Sequence, residues 1–438
     1  MNPAGTPLGT FKVGQVVTFD VPAGTSSITI IEQANGTTPD TVPPDTVTLN
    51  RTDTFPGITI ENTAVPDKVT NPGGNVVYDD NPPSIPADPS GLTAFFQSAA
   101  PVTGAFTIPN TSTLLNQSVN GLPAGKWSFV VNDFGYECVN ASNCCIGPTS
   151  STCKTGGQGT TYKVSVVLKG GAPRTSGTLD VAFHLVGLTS GGAPLTAAKA
   201  PTDPSVRRMV SSLASLYAKT GICLGTVTFY DLPDWAEARY GSLDIDSLGT
   251  CDDMSQMFTL SAPGNHLNFF LVGAFVTSTQ GQVQIAGIDG TIPGPSAFSG
   301  TIHSGAVVNG ADLTLGAANC GGALDILRCG ADEVAYITAH EGGHWMGLYH
   351  TTEQLGDAFD PIADTGKCPC TSCVPQASRG QCSNFDPNVQ PILNGTTCTK
   401  SSSCAGGDNL MFWLLDNAST GALTCEQGGV IRANPVVH

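Results

Sequence analysis

Between residues 340 and 350 the chain reads His340-Glu341-Gly342-Gly343-His344-Trp345-Met346-Gly347-Leu348-Tyr349-His350. If residues 331–346 are helical, His340 and His344 stand four apart and project from one face, near enough to share a metal ion. Glu341 lies one residue round from that face, where its carboxylate can take a proton from a water beside the metal. Gly347 can adopt a positive φ, which ends the helix and turns the chain sharply. The turn lets His350 return and complete a three-nitrogen shell with a fourth position open to water. An open position with a carboxylate beside it suits metal-assisted hydrolysis. A closed structural zinc site would recruit a fourth side chain and has no need of Glu341. The whole chain has only 7 histidines, so three of them at these offsets around a glycine form a specific signal.

These residues need a scaffold, and the surrounding sequence predicts one. Residues 178–187 alternate Leu179, Val181, Phe183 and Leu185 on one face, as a strand does. Asp203-Pro204 supplies a cap and a first-turn proline for a helix carrying Val206, Met209, Val210, Leu213, Leu216 and Tyr217, which Gly221 ends. Strands are expected at 224–230, 267–276 and 282–288, with a short helix near 252–260. The order strand, helix, strand predicts an α+β unit, a mixed sheet backed by helices. The chain before it is rich in Thr, Ser, Asn, Gly and Pro and reads as short strands at 15–21, 27–31, 57–61, 126–132 and 161–168. That texture predicts an all-β sandwich or jelly roll. Gly170-Gly171-Ala172-Pro173 reads as a linker, which divides the chain into domains 1–172 and 173–438.

Composition narrows the classes of partner. The 438 residues carry 35 acidic and 18 basic side chains, a formal charge of -17, which disfavours nucleic acid and anionic membranes. The longest apolar run, residues 269–276, is far too short to span a bilayer. The residues after Met1, Asn2-Pro3-Ala4-Gly5, are not the basic then apolar run of a secretory leader. Fifteen cysteines point to an oxidising, extracellular setting with disulfides, and the odd number leaves one over. Local bridges are expected among Cys138, Cys144, Cys145 and Cys153, and the pairs Cys320–Cys329 and Cys223–Cys251 are plausible. Cys368-Pro369-Cys370-Thr371-Ser372-Cys373 has a metal-like spacing, yet bridges among Cys368, Cys370, Cys373, Cys382, Cys398, Cys404 and Cys425 are the better expectation. His184, His266 and His303 fall outside any ligand spacing and read as packing or surface residues.

The histidine motif resembles that of the metzincin clan of zinc metallopeptidases, in which a methionine follows in a tight turn beneath the metal. Asn409-Leu410-Met411-Phe412-Trp413 fits that turn, with Met411 as its methionine. Within the clan the chain is most similar to the pappalysin-like family. The similarity rests on Leu348-Tyr349-His350-Thr351, on Asp360-Pro361-Ile362-Ala363-Asp364-Thr365 before a Cys-rich loop, on the segments 285–294 and 305–308, and on 423–432. It covers roughly residues 178–437. The resemblance implies a secreted zinc-dependent endopeptidase acting on protein or peptide substrates. Zinc would be held by His340, His344 and His350, Glu341 would be the general base, and the substrate would lie along an edge strand within 282–293. Asp357, Asp360 and Asp364 cluster after the third histidine and either hold calcium through oxygen ligands, as the resemblance also suggests, or form a solvated acidic loop. One position departs from the family: Trp413 stands where a tyrosine would stabilise the tetrahedral intermediate, so Trp413 either donates from its indole or simply packs. The N-terminal runs 125–133 and 162–168 loosely resemble accessory sandwich domains of secreted bacterial peptidases. Two other readings stay open, a latent zymogen in which an upstream residue such as an unpaired cysteine caps the zinc, and an adhesion protein with a silent peptidase scaffold. Nothing in the sequence sets the oligomeric state.

Overall fold

The computed structural model describes residues 5–12, 14–34, 56–62, 68–70, 76–79, 103–133, 136–138, 153–155, 161–171, 175–245, 252–277, 281–282, 286–383 and 393–438. The N-terminal part forms two antiparallel sheets. Strands Thr6–Lys12, Thr161–Gly170, Thr25–Ala34 and Thr103–Ile108 lie side by side in one, and Val16–Val21, Gly125–Asp133 and Pro56–Asn62 in the other. Alternation drives their pairing: Val17, Phe19 and Val21 are buried, and their neighbours in the strand face solvent. Ile28, Ile30, Phe129, Val131, Tyr162 and Val164 fill the space between the sheets. The predicted β-sandwich is therefore formed. The expected Cys138, Cys144, Cys145 and Cys153 bridges fall on side chains outside the described set.

The C-terminal part is a mixed five-stranded sheet with helices. Its strands are β1 (Gly177–Val186), β2 (Ile222–Asp231), β3 (Leu267–Val272), β4 (Gly287–Asp289) and β5 (Ala306–Asn309), in spatial order β2, β1, β3, β5, β4. The first four in that order run parallel, and β4 closes one edge antiparallel to β5. Period-two alternation assigns β3 to both faces at once. Phe269 and Leu271 join one apolar cluster and Phe270 and Val272 the other, so the strand reads as an unbroken apolar run. On the first face lie helix α1 (Pro204–Ala218) and helix α2 (Gly330–Trp345). The side chain of Asp203 caps α1 by accepting the N–H groups of Ser205 and Val206. Arg208 on α1 pairs with the buried Asp332 of α2 at 2.7 Å, and the Tyr217 hydroxyl donates to the carbonyl of Ala339 at 3.2 Å. These contacts set the angle at which α2 crosses the sheet. Helix α3 (Cys425–Ala433) follows, started by a capping box between Thr424 and Gln427.

Two sequence expectations are corrected here. The strand expected at 267–276 is interrupted at Gly273, and Ala274–Thr277 belongs to a separate small sheet. At Gly273 the N–H leaves the ladder and donates to the Gly241 carbonyl at 2.8 Å, an approach so close that a Cβ there would stand 2.9 Å from that oxygen. Cysteine pairing also differs. Four disulfides form among the described residues, Cys320–Cys329, Cys368–Cys398, Cys370–Cys382 and Cys373–Cys404. Cys223 is a free, exposed thiol rather than a partner of Cys251, which lies outside the described residues. Cys425 is likewise free, because it opens α3 and is not part of the apolar cluster that gathers the six bridged cysteines of the 368–404 segment.

The two parts meet at the C-terminal helix. The Lys169 ammonium donates to the carbonyl oxygens of Arg432, Asn434 and Val437, and the Ser27 hydroxyl donates to that of Ala433 at 2.6 Å. A cation at the carbonyl end of α3 satisfies groups that the helix itself leaves without partners.

Candidate metal centre

Helix α2 presents His340 and His344 one turn apart. Its end follows from glycine chemistry: Gly347 takes φ 110, and the Leu348 N–H donates back to the Gly343 carbonyl at 2.9 Å. The reversed chain brings His350 back to the helix. The three Nε2 atoms then stand 3.1, 3.1 and 3.2 Å apart. Among the described residues these histidines are the one group of three metal-ligating side chains whose donor atoms converge.

The other ring nitrogens decide what the convergence means. His340 Nδ1 faces the Leu410 carbonyl at 2.7 Å, His344 Nδ1 the Leu348 carbonyl at 2.8 Å, and His350 Nδ1 the Glu353 carboxylate at 2.9 Å. Carbonyls and carboxylates only accept, so each Nδ1 carries a proton and each ring turns its Nε2 inward. Burial, followed by the neighbouring His350, holds the His340 imidazole down at about 3. Burial and the two neighbouring rings hold His344 well below its usual range. With protonation of His340 and His344 disfavoured, their inward lone pairs at this range suit a cation at the focus of the three nitrogens. Zinc–nitrogen bonds of about 2.0–2.1 Å in a tetrahedral site would separate the nitrogens by about 3.3 Å, close to the spacing found. The donor set fits zinc.

The floor beneath the ligands comes from Asn409–Met411. Met411 packs directly on α2 between the two helical ligands, since a Cβ on Gly343 would lie 2.6 Å from its sulfur. Its N–H donates to the Asn409 side chain at 2.8 Å, and its carbonyl accepts the Thr351 N–H at 2.9 Å. Asn409 is held in turn by Gln427 of α3 at 2.9 Å.

Glu341 is buried against the edge strand β4. Its carboxylate accepts the backbone N–H of Asp289, and Gly287 leaves the space it occupies. Burial, then the charge of Asp289, push the Glu341 carboxyl well above its ordinary range. Burial raises Asp289 itself to about 7, and its Oδ2 lacks a partner. A cleft of about 1050 Å³ opens here, lined by residues 286–289, the outward stripe of α2, His350 and residues 412–415. Trp413 lines it too, packed on Phe412, with a buried indole N–H that meets no acceptor.

The expected calcium ligands do not gather. Asp357 is exposed, Asp364 accepts the Glu426 N–H at 3.1 Å, and Asp360 is buried with its carboxylate taking the Thr365 hydroxyl at 2.6 Å. His184, His266 and His303 pack: His184 stacks on Phe270 at 4.3 Å, and His266 and His303 bond the carbonyls of Ala262 and Gly290. Three participants escaped the sequence reading. Glu353 follows the third histidine by three residues, a spacing that marks it in retrospect. Gly287 and Asp289 carry no local signal, since only the sheet register brings them to Glu341.

No family model and no curated protein matches the chain. Among solved structures, metalloproteinase-II from Bacteroides fragilis aligns with 47% of this chain at 12% identity and a TM-score of 0.25, and the match spans 59% of that protein, less than two thirds of it. An active-site mutant of a family two carbohydrate esterase from Clostridium thermocellum aligns with 62% of this chain and 66% of its own, at 9% identity and a TM-score of 0.14. Neither score reaches that of a shared fold, and the site is read from its own residues.

Proposed function

We propose that this protein is a secreted zinc-dependent endopeptidase of the metzincin type, most similar to the pappalysin-like family, with residues 173–438 as the catalytic domain and 1–172 as an accessory sandwich. One observation carries the reading: three inward imidazole nitrogens and the Glu341 carboxylate meet at a cleft walled by β4, which among the described residues is the outermost strand of its sheet. Zinc bound by His340, His344 and His350 supplies Lewis acidity that lowers the pKa of water and polarises a carbonyl. Glu341 takes the proton of the attacking water and returns it to the leaving amine. Apart from the Asp289 N–H that Glu341 takes, the outer edge of β4 offers main-chain groups to an extended peptide, which orients the scissile bond beside Glu341. Met411 supports the ligand helix from below. Trp413 packs on Phe412 in the cleft wall, and its buried indole N–H could serve a substrate oxygen only after the ring turns toward the cleft.

Four disulfides favour an oxidising compartment, which supports secretion. Among the described residues no helix is long and apolar enough to cross a membrane. Among the described residues the free thiols, Cys223 and Cys425, do not line the cleft. The test is a casein or gelatin digestion. Wild type should cleave, lose activity to a chelator and regain it with zinc, and Glu341→Ala should be inactive while still binding zinc. Substantial residual cleavage by Glu341→Ala sinks the assignment.

A further inference from the structure

We propose that Glu353 is a positioning residue of the metal centre, which holds the His350 ring with Nε2 turned toward the ion and links that ligand to the disulfide-braced loop. The inference rests on the zinc reading above. The three ligands are held differently. His340 and His344 belong to a buried helix, and the Nδ1 of each meets a main-chain carbonyl that no substitution removes. His350 stands beyond the helix, in the loop, and the one Nδ1 partner it has is the Glu353 carboxylate at 2.9 Å. Of the three centre-facing rings, this is the one whose orientation depends on a side chain.

Glu353 is itself fixed. Its N–H donates to the Ala358 carbonyl at 3.0 Å, and its carbonyl accepts the Gly356 N–H at 2.8 Å, which closes a short loop. Gly356, at φ 62, is pressed into the cysteine segment, where a Cβ would stand 2.6 Å from the Cys370 nitrogen and 2.9 Å from the Cys368 oxygen. Cys368 and Cys370 are anchored by bridges to Cys398 and Cys382. The path from covalent brace to metal ligand is therefore short, and it ends at Glu353. A carboxylate accepting from Nδ1 both selects the tautomer and strengthens Nε2 as a donor; losing such a partner typically weakens metal affinity about 10–100-fold.

The experiment compares wild type, Glu353→Ala, Glu353→Gln and His344→Ala in the full chain. Zinc affinity is measured by competition with a chromophoric chelator, and the visible spectrum of the cobalt-substituted protein reports ligand geometry. Glu353→Ala should bind zinc about 10–100-fold more weakly and shift the cobalt bands. Glu353→Gln keeps an acceptor oxygen and loses the charge, so it should recover the cobalt spectrum and lose only about 3–10-fold in affinity. A purely structural role would not be rescued in this spectroscopic sense. Wild-type affinity in Glu353→Ala, with binding abolished in His344→Ala, overturns the inference and leaves the zinc reading standing. If wild type itself binds no zinc, the zinc reading fails. Should Glu353→Ala not fold, Glu353→Gln decides, and an affinity equal to wild type overturns the proposal.

Discussion

Replacing Gly287 by alanine should disable the proposed general base while leaving the metal site intact. A Cβ at that position would stand 2.5 Å from Cγ, 2.7 Å from Oε1 and 2.8 Å from Cδ of Glu341. Non-bonded carbons settle at about 3.5–4.0 Å, so one side must yield by roughly 1 Å. The strand cannot easily yield, because Gly287, Ile288 and Asp289 are registered against Val308, Val307 and Ala306. The Glu341 backbone cannot either, since α2 is buried against the sheet and tied to α1 through Asp332. The carboxylate itself must move, away from the Asp289 N–H that now holds it. A displacement of about 1 Å at a reacting group costs on the order of 100-fold in rate. The assay is kcat and KM on a quenched peptide drawn from a casein cleavage site, with zinc occupancy followed by chelator titration. The expected result is kcat down about 100-fold, KM little changed because the edge of β4 keeps its main-chain groups, and zinc retained. Activity within about threefold of wild type, or zinc lost along with activity, would refute the reasoning.

Asp360 offers a pH test away from the ligands. Burial raises its carboxyl from 3.8 to about 7, so the folded state holds this proton more tightly than the unfolded chain does. The associated stability is full below about pH 4 and is lost as pH rises toward about 7, by at most about 4 kcal/mol. Asp360→Asn in chelator should therefore raise Tm at pH 8 and change it little at pH 4, and equal Tm values at pH 8 contradict the account. If calcium raises the wild-type Tm and not that of Asp360→Asn, a cation has taken the place of the proton and the burial argument fails. Lys169→Met removes the cation from the carbonyl end of α3 while keeping an apolar stem. Charge-assisted hydrogen bonds of this kind are worth about 1.5–3 kcal/mol, so urea unfolding should show a loss near 2 kcal/mol, and a change under about 0.5 kcal/mol would mean the contact is idle.

Much of this was legible residue by residue. The helix expected at 331–346 runs Gly330–Trp345, and the helix capped by Asp203 runs Pro204–Ala218. Both are set by signals within a few residues: the Asp203 carboxylate cap and the 3.6-residue apolar period for the second, and the histidine pair with Gly347 at the exit for the first. The sandwich strands were legible for the same reason, through period two. The strand expected at 267–276 is too long because an apolar run says nothing of the distant Gly241 carbonyl that takes the Gly273 N–H.

The sequence by itself determined the candidate metal site, because His340, His344, Glu341, Gly347 and His350 are placed by one helix and one turn. Tertiary structure alone decided how that chemistry is held. Leu410 lies 70 residues from His340 yet fixes its tautomer, and Gly287 and Asp289 reach Glu341 only through the register of β4 on β5. It also decided the cysteines: six of the seven between 368 and 425 pair with one another, and Cys425 is left out on a helix. Local patterns act over a turn or two of chain and are written into adjacent residues. Contacts across the fold depend on where packed elements come to rest, and no short stretch of sequence encodes that.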